Sequence, residues 1–572
     1  MVFKGIGASP GIGKGRVFLV RAASLDYSAV PFSGAQAERK RLGQAVEACR
    51  AATATLALAV RREVGEDIAD ILTAQAAMLE DPTLKAEALA LIDAGMTAEA
   101  AVDTVSSSYV RQFLALDNEL MRQRAADVQD MRRRLLEQLL GLHQADITAA
   151  PQGSVLVAED VSPSMAARIQ KTQIVGIAAE TGGKTGHTAI LARALGIPAV
   201  VGVPGIATAA QPGDDAIVDG DAGRVLLRPE PAAVAEYQHY LGQQAAEQQQ
   251  LWAWRSRPTA TADGQPCQVW ANIAGVPQAR DALDAGAEGI GLFRTEFLFM
   301  QNGRLPTEAE QLACYSAAAD VMPGQTVVIR TLDVGGDKAI DYLGIEKEAN
   351  PYLGFRAIRY CLDHPELFSV QLRALLRAGA RHGNVAILLP MITGLEEVRA
   401  TRRLLDRCKQ QLEREGLPYD NTIRLGAMIE TPAAALLADR LATEVDFLSI
   451  GTNDLAQYTL AADRGNPRVE NLNNPFHPAL LRSLQQVAAV GNAAGIPVEL
   501  CGEAAADPAM VPLLLAFGVQ VFSVAPAAVP ATRRAIARYS LPGARALAQA
   551  ALLLDTATEV EAYLRATCAG EA

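Results

Sequence analysis

The chain has 572 residues, half of them hydrophobic, with 52 Lys and Arg against 64 Asp and Glu and a net charge of −12. That length suggests about three or four domains, each able to bury a core. The acidic balance excludes the basic footprint of a nucleic-acid binder and attraction to an anionic membrane surface, and seven scattered cysteines without a CxxC pair exclude a disulfide framework or a structural zinc site.

The first residues, Met1–Gly15, lack the apolar stretch of a signal peptide, and no run approaches the ~20 apolar residues of a membrane span. With reduced thiols, this places the expected protein in the cytoplasm. Arg16–Val20 reads as a short strand. From Ser33 to Leu142, Pro and Gly become rare and apolar positions recur at helical spacing, in segments 35–62, 67–79, 82–94, 97–116 and 118–140. Asp81-Pro82 and Thr97 read as helix starts, with Pro in a first turn and Thr as a cap. The segment is expected to be a helical bundle.

At Pro151 the pattern reverts to short strands at Ser154–Ala158, Ile174–Ala178, Ala199–Val201 and Ala216–Asp219, with short helices between. These form a compact β/α domain. The strand at Val17 joins it, which makes the helical bundle an insertion. Residues 229–250 read as a long linker helix, and Thr259–Pro266 as a hinge. From Cys267 onward one unit repeats: apolar strand, loop, helix. Eight strands are expected, at Val269–Ile273, Gly289–Phe293, Val327–Arg330, Ala386–Leu389, Leu425–Ile429, Phe447–Ile450, Val498–Leu500 and Val521–Val524. Eight β/α units suit one (β/α)8 barrel. An open doubly wound sheet is less suited, because no GxGxxG turn follows any strand.

In such a barrel the loops after the strands form the active face. Here they carry Arg294-Thr295-Glu296, Arg330-Thr331-Leu332-Asp333, Lys338, Glu430-Thr431-Pro432, Asn453-Asp454, Arg464 and Cys501-Gly502-Glu503. Taken singly, each is an ordinary rim residue. Together, forked cations match phosphate and carboxylate oxygens, and Glu430 with Asp454, lacking His or Cys beside them, suit Mg2+. The implied substrate is a small phosphorylated acid. A second constellation is Thr181–Arg193, where a glycine-rich turn runs into an apolar helix with His187 at its start. Free N–H groups and the dipole at a helix N-terminus stabilise an anion. A neutral histidine nitrogen is a competent nucleophile at pH 7. The remaining histidines, 143, 239, 364, 382 and 477, have no such setting and read as structural or solvated, His382 in a turn.

These motifs resemble Enzyme I of the bacterial phosphotransferase system. The resemblance rests on Gly182–Ala189, Gly291–Met300, Arg330–Lys338, Gly426–Pro432, Gly451–Leu455 and Leu500–Glu503, in one order along nearly the whole chain. It implies an α/β multidomain protein. A phosphohistidine β/α domain spans residues 1–32 and 143–228, with an inserted helical bundle at 33–142 that binds the phosphocarrier HPr. A linker helix follows at 229–258, and a C-terminal (β/α)8 TIM barrel at 259–572 binds phosphoenolpyruvate and dimerises. It implies that His187 takes the phosphoryl group of phosphoenolpyruvate and passes it to HPr, that Cys501 protonates the enolate, and that Glu430 and Asp454 hold Mg2+. Arg294, Arg330, Asn453 and Arg464 are then the substrate-binding set, with Lys338 and Arg356 as further members. Gly186 departs from the family's Ser, and Val524-Ala525 from its more polar residues. A dikinase or synthase relative would need a nucleotide domain, and no GxxxxGK[ST] loop is present. A regulatory paralogue using the same chemistry is the alternative; its nitrogen branch would carry an N-terminal sensory domain. A non-catalytic scaffold would not be expected to keep the whole charged strand-end set.

Overall fold

The computed structural model describes residues 1–572 except 22–24, 64–71, 74, 116–118, 143–146, 162–164, 166–168, 170–172, 184–185, 301–302, 336–339, 347, 467 and 571–572. Two compact units divide the chain, 1–243 and 244–572.

The first unit combines a sheet and a helical bundle. Its strands are β1 (Val2–Lys4), β2 (Ile6–Ser9), β3 (Ile12–Val20), β4 (Ser154–Ala158), β5 (Ile174–Ala179), β6 (Ala199–Val201), β7 (Asp215–Asp219) and β8 (Arg224–Leu227). They lie in the order β1-β8-β7-β3-β4-β5-β6-β2. The β3-β4-β5-β6 core is parallel, and the flanking pairs are antiparallel. Parallel strands covered on both faces are continuous apolar runs, and β4 is buried at all five positions. The glycines of the N-terminal segment answer to close backbone approach: a Cβ on Gly13 would stand 2.0 Å from the Val175 carbonyl oxygen. Residues 1–9 thus fold as two short strands, β1 and β2, that the alternation of glycine and apolar residues does not reveal, and β8 is a further strand beyond the sequence expectation.

Between the adjacent, parallel β3 and β4 the chain inserts α1 (Ala35–Glu63), α2 (Pro82–Asp93), α3 (Ala98–Leu114) and α4 (Glu119–Leu140). Asp81 caps α2 by accepting from Thr83 and Leu84 N–H, and Thr97 caps α3 by accepting from Ala100 N–H. Each such cap is worth about 1 kcal/mol. Leu42, Ile92, Val102, Val128 and Leu136 build the bundle core. Of the expected helix at 67–79, residues 72–73 and 75–78 are helical, and 67–71 and 74 lie outside the described residues. After β6 and β8 the chain enters a helix at Pro231–Trp252, in which the division between the units falls.

The second unit is a closed parallel barrel of β9 (Gln268–Ile273), β10 (Ile290–Phe293), β11 (Val327–Arg330), β12 (Val385–Leu389), β13 (Arg424–Ile429), β14 (Phe447–Ile450), β15 (Val498–Leu500) and β16 (Val521–Val524). All eight strands stand within a residue of their expected bounds. Alternate side chains point inward, and Trp270, Leu292, Val328, Leu388, Met428 and Phe447 fill the barrel. The outward residues pack against the surrounding helices. Each buried Leu, Val or Phe contributes roughly 1.5–3 kcal/mol.

Thr259–Pro266 is not a hinge. Thr259 and Thr261 are buried, and the segment closes a turn with an Ala260–Pro266 bridge. Ala262 N–H donates to the Tyr539 carbonyl. The buried Arg533 donates to Thr259 Oγ1 at 2.7 Å and to the carbonyls of Trp254, Arg255 and Gly286 at 2.6–3.0 Å. Residues with turn chemistry are here fastened to the barrel by an arginine far along the chain. His382, expected in a turn, ends the helix Pro365–His382, where its Nε2 meets Asp320 Oδ1 at 2.5 Å.

Candidate active site

The C-terminal ends of the barrel strands gather charge that water hardly reaches. Arg330, the last residue of β11, is buried and donates to Glu296 Oε1 at 2.6 Å, with Asp333 Oδ2 at 3.2 Å. Arg356, 1% exposed, donates from Nη2 to both oxygens of Asp333 at 3.0 and 3.1 Å. Its Nη1 reaches the Tyr458 hydroxyl at 3.2 Å and Asp454 Oδ1 at 3.5 Å. Burial works against both guanidinium charges. For Arg330 the carboxylates of Glu296, Asp333 and Glu430 outweigh it, and for Arg356 those of Asp333 and Asp454, so both are held protonated above their ordinary range. Such forks fix carboxylates rigidly.

Glu430 ends its approach just after β13, buried, accepting the Met391 N–H at 2.6 Å. Burial, then the charges of Asp454 and Asp333, raise its carboxyl above the ordinary value, and Arg330 and Arg356 only partly oppose this. Asp454 stands in the first turn of the helix Thr452–Leu460, with Arg464 Nη2 at 3.7 Å from its Oδ2. Asn453 pairs with the Glu503 segment in both directions at 3.2 Å. Asn453, Arg464 and Tyr352 line a cleft of about 520 Å3. Arg294, exposed, lines a neighbouring cleft of about 960 Å3 with Phe297, Asn272, Cys501 and Trp252. Arg330, Arg356, Glu430, Asp454 and Arg464 thus form one linked cluster. Asn453 lies one residue from Asp454, and Arg294 lies on the adjoining cleft. Lys338 lies outside the described residues.

Cys501 follows β15, 4% exposed, with Sγ 3.3 Å from Ser449 Oγ and 3.6 Å from the Ile450 carbonyl oxygen. Burial and the nearby Glu499 push its thiol up to about 12, so it holds its proton. Asn272 Nδ2 bonds its carbonyl at 2.9 Å. The next residue must be Gly: a Cβ on Gly502 would stand 1.8 Å from Thr452 Oγ1. Among the described residues no group of three His, Cys, Asp or Glu side chains is set to enclose a metal by itself. Two carboxylates, Glu430 and Asp454, nevertheless suit a hard cation that keeps waters and takes substrate oxygens. The like-charge pressure raising Glu430 is what a divalent cation relieves.

In the first unit, α5 (His187–Leu195) begins at His187 with Gly186 as N-cap, and no side chain caps it. Gly186 has φ −71° and ψ 160°, extended backbone open to any residue, so nothing in its conformation demands glycine. Thr188 is buried and donates to the Val161 carbonyl at 3.0 Å. The side chain of His187, with Lys184 and Thr185, lies outside the described residues.

Sequence reasoning assigned no role to Glu296, Asp333, Tyr458, Asn272, Ser449 or Glu499. Glu296 and Asp333 stood inside the motifs. Ser449 and Glu499 interrupt apolar strands, which is the one signal that could have found them. Among the described residues no helix is long and apolar enough to cross a membrane.

Models of phosphoenolpyruvate-utilising enzymes match residues 4–124 (N-terminal), 150–223 (mobile domain) and 248–541 (phosphoenolpyruvate-binding domain). A phosphoenolpyruvate-protein phosphotransferase of Geobacillus stearothermophilus is 40% identical over 564 residues, 98% of this chain and 97% of its own. The protein of that name from Bacillus subtilis (strain 168) is 38% identical over 570 residues, 99% of each. A solution NMR structure of Enzyme I (nEIt) is 31% identical, with a TM-score of 0.37, over 42% of this chain and 97% of that one.

Proposed function

Because this chain belongs to the phosphoenolpyruvate-protein phosphotransferase family, we propose that phosphoenolpyruvate binds at the C-terminal mouth of its barrel, gives its phosphoryl group to His187 and leaves as pyruvate. Phospho-His187 then passes the group to a histidine of the phosphocarrier HPr, docked on the inserted bundle, as the first step of sugar uptake. The observation that carries this reading is the buried Arg330–Asp333–Arg356–Asp454 chain with Glu430 beside it. It is a prearranged set of forked cations and carboxylates at the strand ends. A regulatory relay with the same chemistry is not favoured, since near-full-length relatives carry the phosphotransferase name.

Glu430 and Asp454 hold Mg2+ in this reading, and the bound cation supplies Lewis-acid neutralisation of substrate and enolate charge. The protein's own groups do the rest. Arg294, Arg464 and Asn453 grip phosphate and carboxylate oxygens. Arg330 and Arg356, locked by their carboxylates, keep the positive field fixed without reorganisation, and Lys338 is a further member of the set. His187, neutral, attacks phosphorus, and the N–H groups opening α5 receive the transferred charge. Cys501 gives its thiol proton to the enolate carbon. His187 and the barrel belong to different units, so the first must present the histidine to the barrel and then to the carrier. A cytoplasmic homodimer formed through the barrel completes the proposal.

Intact-protein mass spectrometry tests it. With phosphoenolpyruvate, Mg2+ and no ATP, the protein gains one acid-labile phosphoryl group, and His187→Ala gains none. An unmodified wild-type protein overturns the reading.

A further inference from the structure

In the proposed cycle Cys501 must recover a proton each time it gives one up, while substrate would occupy the cleft that it lines. Below it the barrel offers a path. Ser449 on β14 and Glu499 on β15 are register partners whose side chains both point inward. Ser449 Oγ is 2.5 Å from Glu499 Oε1 and 3.3 Å from Cys501 Sγ. Ser449 is fully buried, and Glu499 is 2% exposed. Glu499 in turn lines a cavity of about 770 Å3 at the opposite, N-terminal mouth of the barrel. The rim residues Gln268, Pro497 and Gln520 of that cavity are exposed, so it opens to solvent. Trp270 also lines it, with a buried Nε1–H that has no hydrogen-bond partner among the described residues.

We propose that Ser449 and Glu499 relay protons from solvent at the N-terminal mouth to Cys501. The proposal rests on the reading of Cys501 as the proton donor to the enolate. A hydroxyl carries one proton and two lone pairs, so Ser449 can accept from one neighbour while donating to the other. As the thiol proton bonds to the enolate carbon, the Ser449 proton passes to sulfur and the Glu499 carboxyl proton passes to the Ser449 oxygen. The carboxylate left at 499 takes a proton from solvent hydronium or buffer acid reaching it through the water of the lower cavity. No buried thiolate accumulates, and the thiol is restored while the upper cleft is still occupied. Burial raises the Glu499 carboxyl to about 8, with Ser449 and Arg424 opposing, so the donor form is present at neutral pH. The charged groups facing this path are Arg424 from β13 and Glu288 on the lower cavity's wall, and Glu430 and Arg330 above. Glu499 and Ser449 are positioning and relay groups; neither touches substrate.

The test separates the two halves of a single turnover of the full chain with phosphoenolpyruvate and Mg2+. Rapid quench reads phosphoprotein, and coupled lactate dehydrogenase reads the keto form of pyruvate. Ser449→Ala and Glu499→Gln are expected to form phosphoprotein within about 3-fold of wild type but to make pyruvate about 10-fold or more slowly, less than the roughly 100-fold of a lost acid–base group because the Cys501 thiol itself remains. Ser449→Thr, which keeps the hydroxyl, restores the rate. All variants are expected to melt no more than a few degrees below wild type. If Ser449→Ala and Glu499→Gln make pyruvate at the wild-type rate while Cys501→Ala does not, the relay is wrong and Cys501 keeps its role. If Cys501→Ala also makes pyruvate normally, the donor reading falls and the relay with it. If Ser449→Thr is as slow as Ser449→Ala, the hydroxyl serves packing alone and the relay is overturned.

Discussion

At its C-terminal mouth the barrel buries carboxylates against guanidinium groups. Asp333 is held by three donor contacts from Arg356 and stands 3.2 Å from Arg330. At the N-terminal mouth Glu499 is buried with the Ser449 hydroxyl against it, and among the described residues the field of Arg424 offers it opposite charge. The first arrangement lets charge persist out of water, because each ion has a partner in a low-dielectric place. The second favours a neutral acid. One barrel therefore carries a fixed charge array at one end and a proton store at the other, and the difference comes from which partners the strands supply.

Breaking the upper array should cost most. Asp333→Ala leaves Arg356 and part of Arg330 buried without their main counter-ion. We expect about 3–5 kcal/mol less stability in urea unfolding, and a loss under 1 kcal/mol would show the array to be loosely held. The lower mouth responds in the opposite sense. Because the folded pKa of Glu499 is raised above its unfolded value, folding takes up a proton there. Its stability contribution is intact below about pH 4.5 and is lost as pH rises toward 8. Glu499→Gln removes that slope, so the variant should match wild type near pH 4 and exceed it by roughly 4 kcal/mol at pH 8. Parallel pH–stability curves would refute this.

A third change sharpens the contrast between buried and accessible members of the upper mouth. Arg464 is one-third exposed and 3.7 Å from Asp454, so Arg464→Ala should leave stability within about 1 kcal/mol. The KM for phosphoenolpyruvate should rise about 10-fold, as a charge-assisted contact is lost. The cation's effect is of similar size. At ten times its dissociation constant, Mg2+ should stabilise the protein by about 1.4 kcal/mol at pH 8. The gain should shrink toward pH 5 as the raised Glu430 carboxyl takes up its proton, and Glu430→Gln should abolish it. Calorimetric melting with and without chelator reads it directly.

The same contrast marks what the sequence made legible. The barrel strands are continuous apolar runs, so all eight could be placed from sequence. The charged groups just beyond them stand in motifs. β1, β2 and β8 are three or four residues each, too short to show a periodicity; β1 and β2 are held by antiparallel partners remote in sequence, and β8 closes a hairpin with β7. The error at Thr259–Pro266 has a similar cause. Its Thr, Asp, Gly and Pro do make a turn, but Arg533 fastens the segment, and no local pattern announces a contact from so far along the chain. Ser449 and Glu499 were passed over because one polar residue in a short apolar strand looks like noise until its register partner is known.

The insertion of the bundle between β3 and β4 has a consequence for how the chain assembles. Arg16 pairs with Ser154 in a parallel register, so the centre of the sheet cannot form until the whole bundle has been made. A helical bundle closes mostly local contacts and folds quickly, whereas parallel pairing over a long loop is slow. On the ribosome, residues 1–20 would emerge as unpaired strands and wait while the helices form behind them. The folded bundle then acts as a clasp, holding its two ends near each other so that β4 meets β3 without a long search. Destabilising the bundle core at Ile92 or Leu136 should therefore slow formation of the sheet, even though neither residue belongs to it.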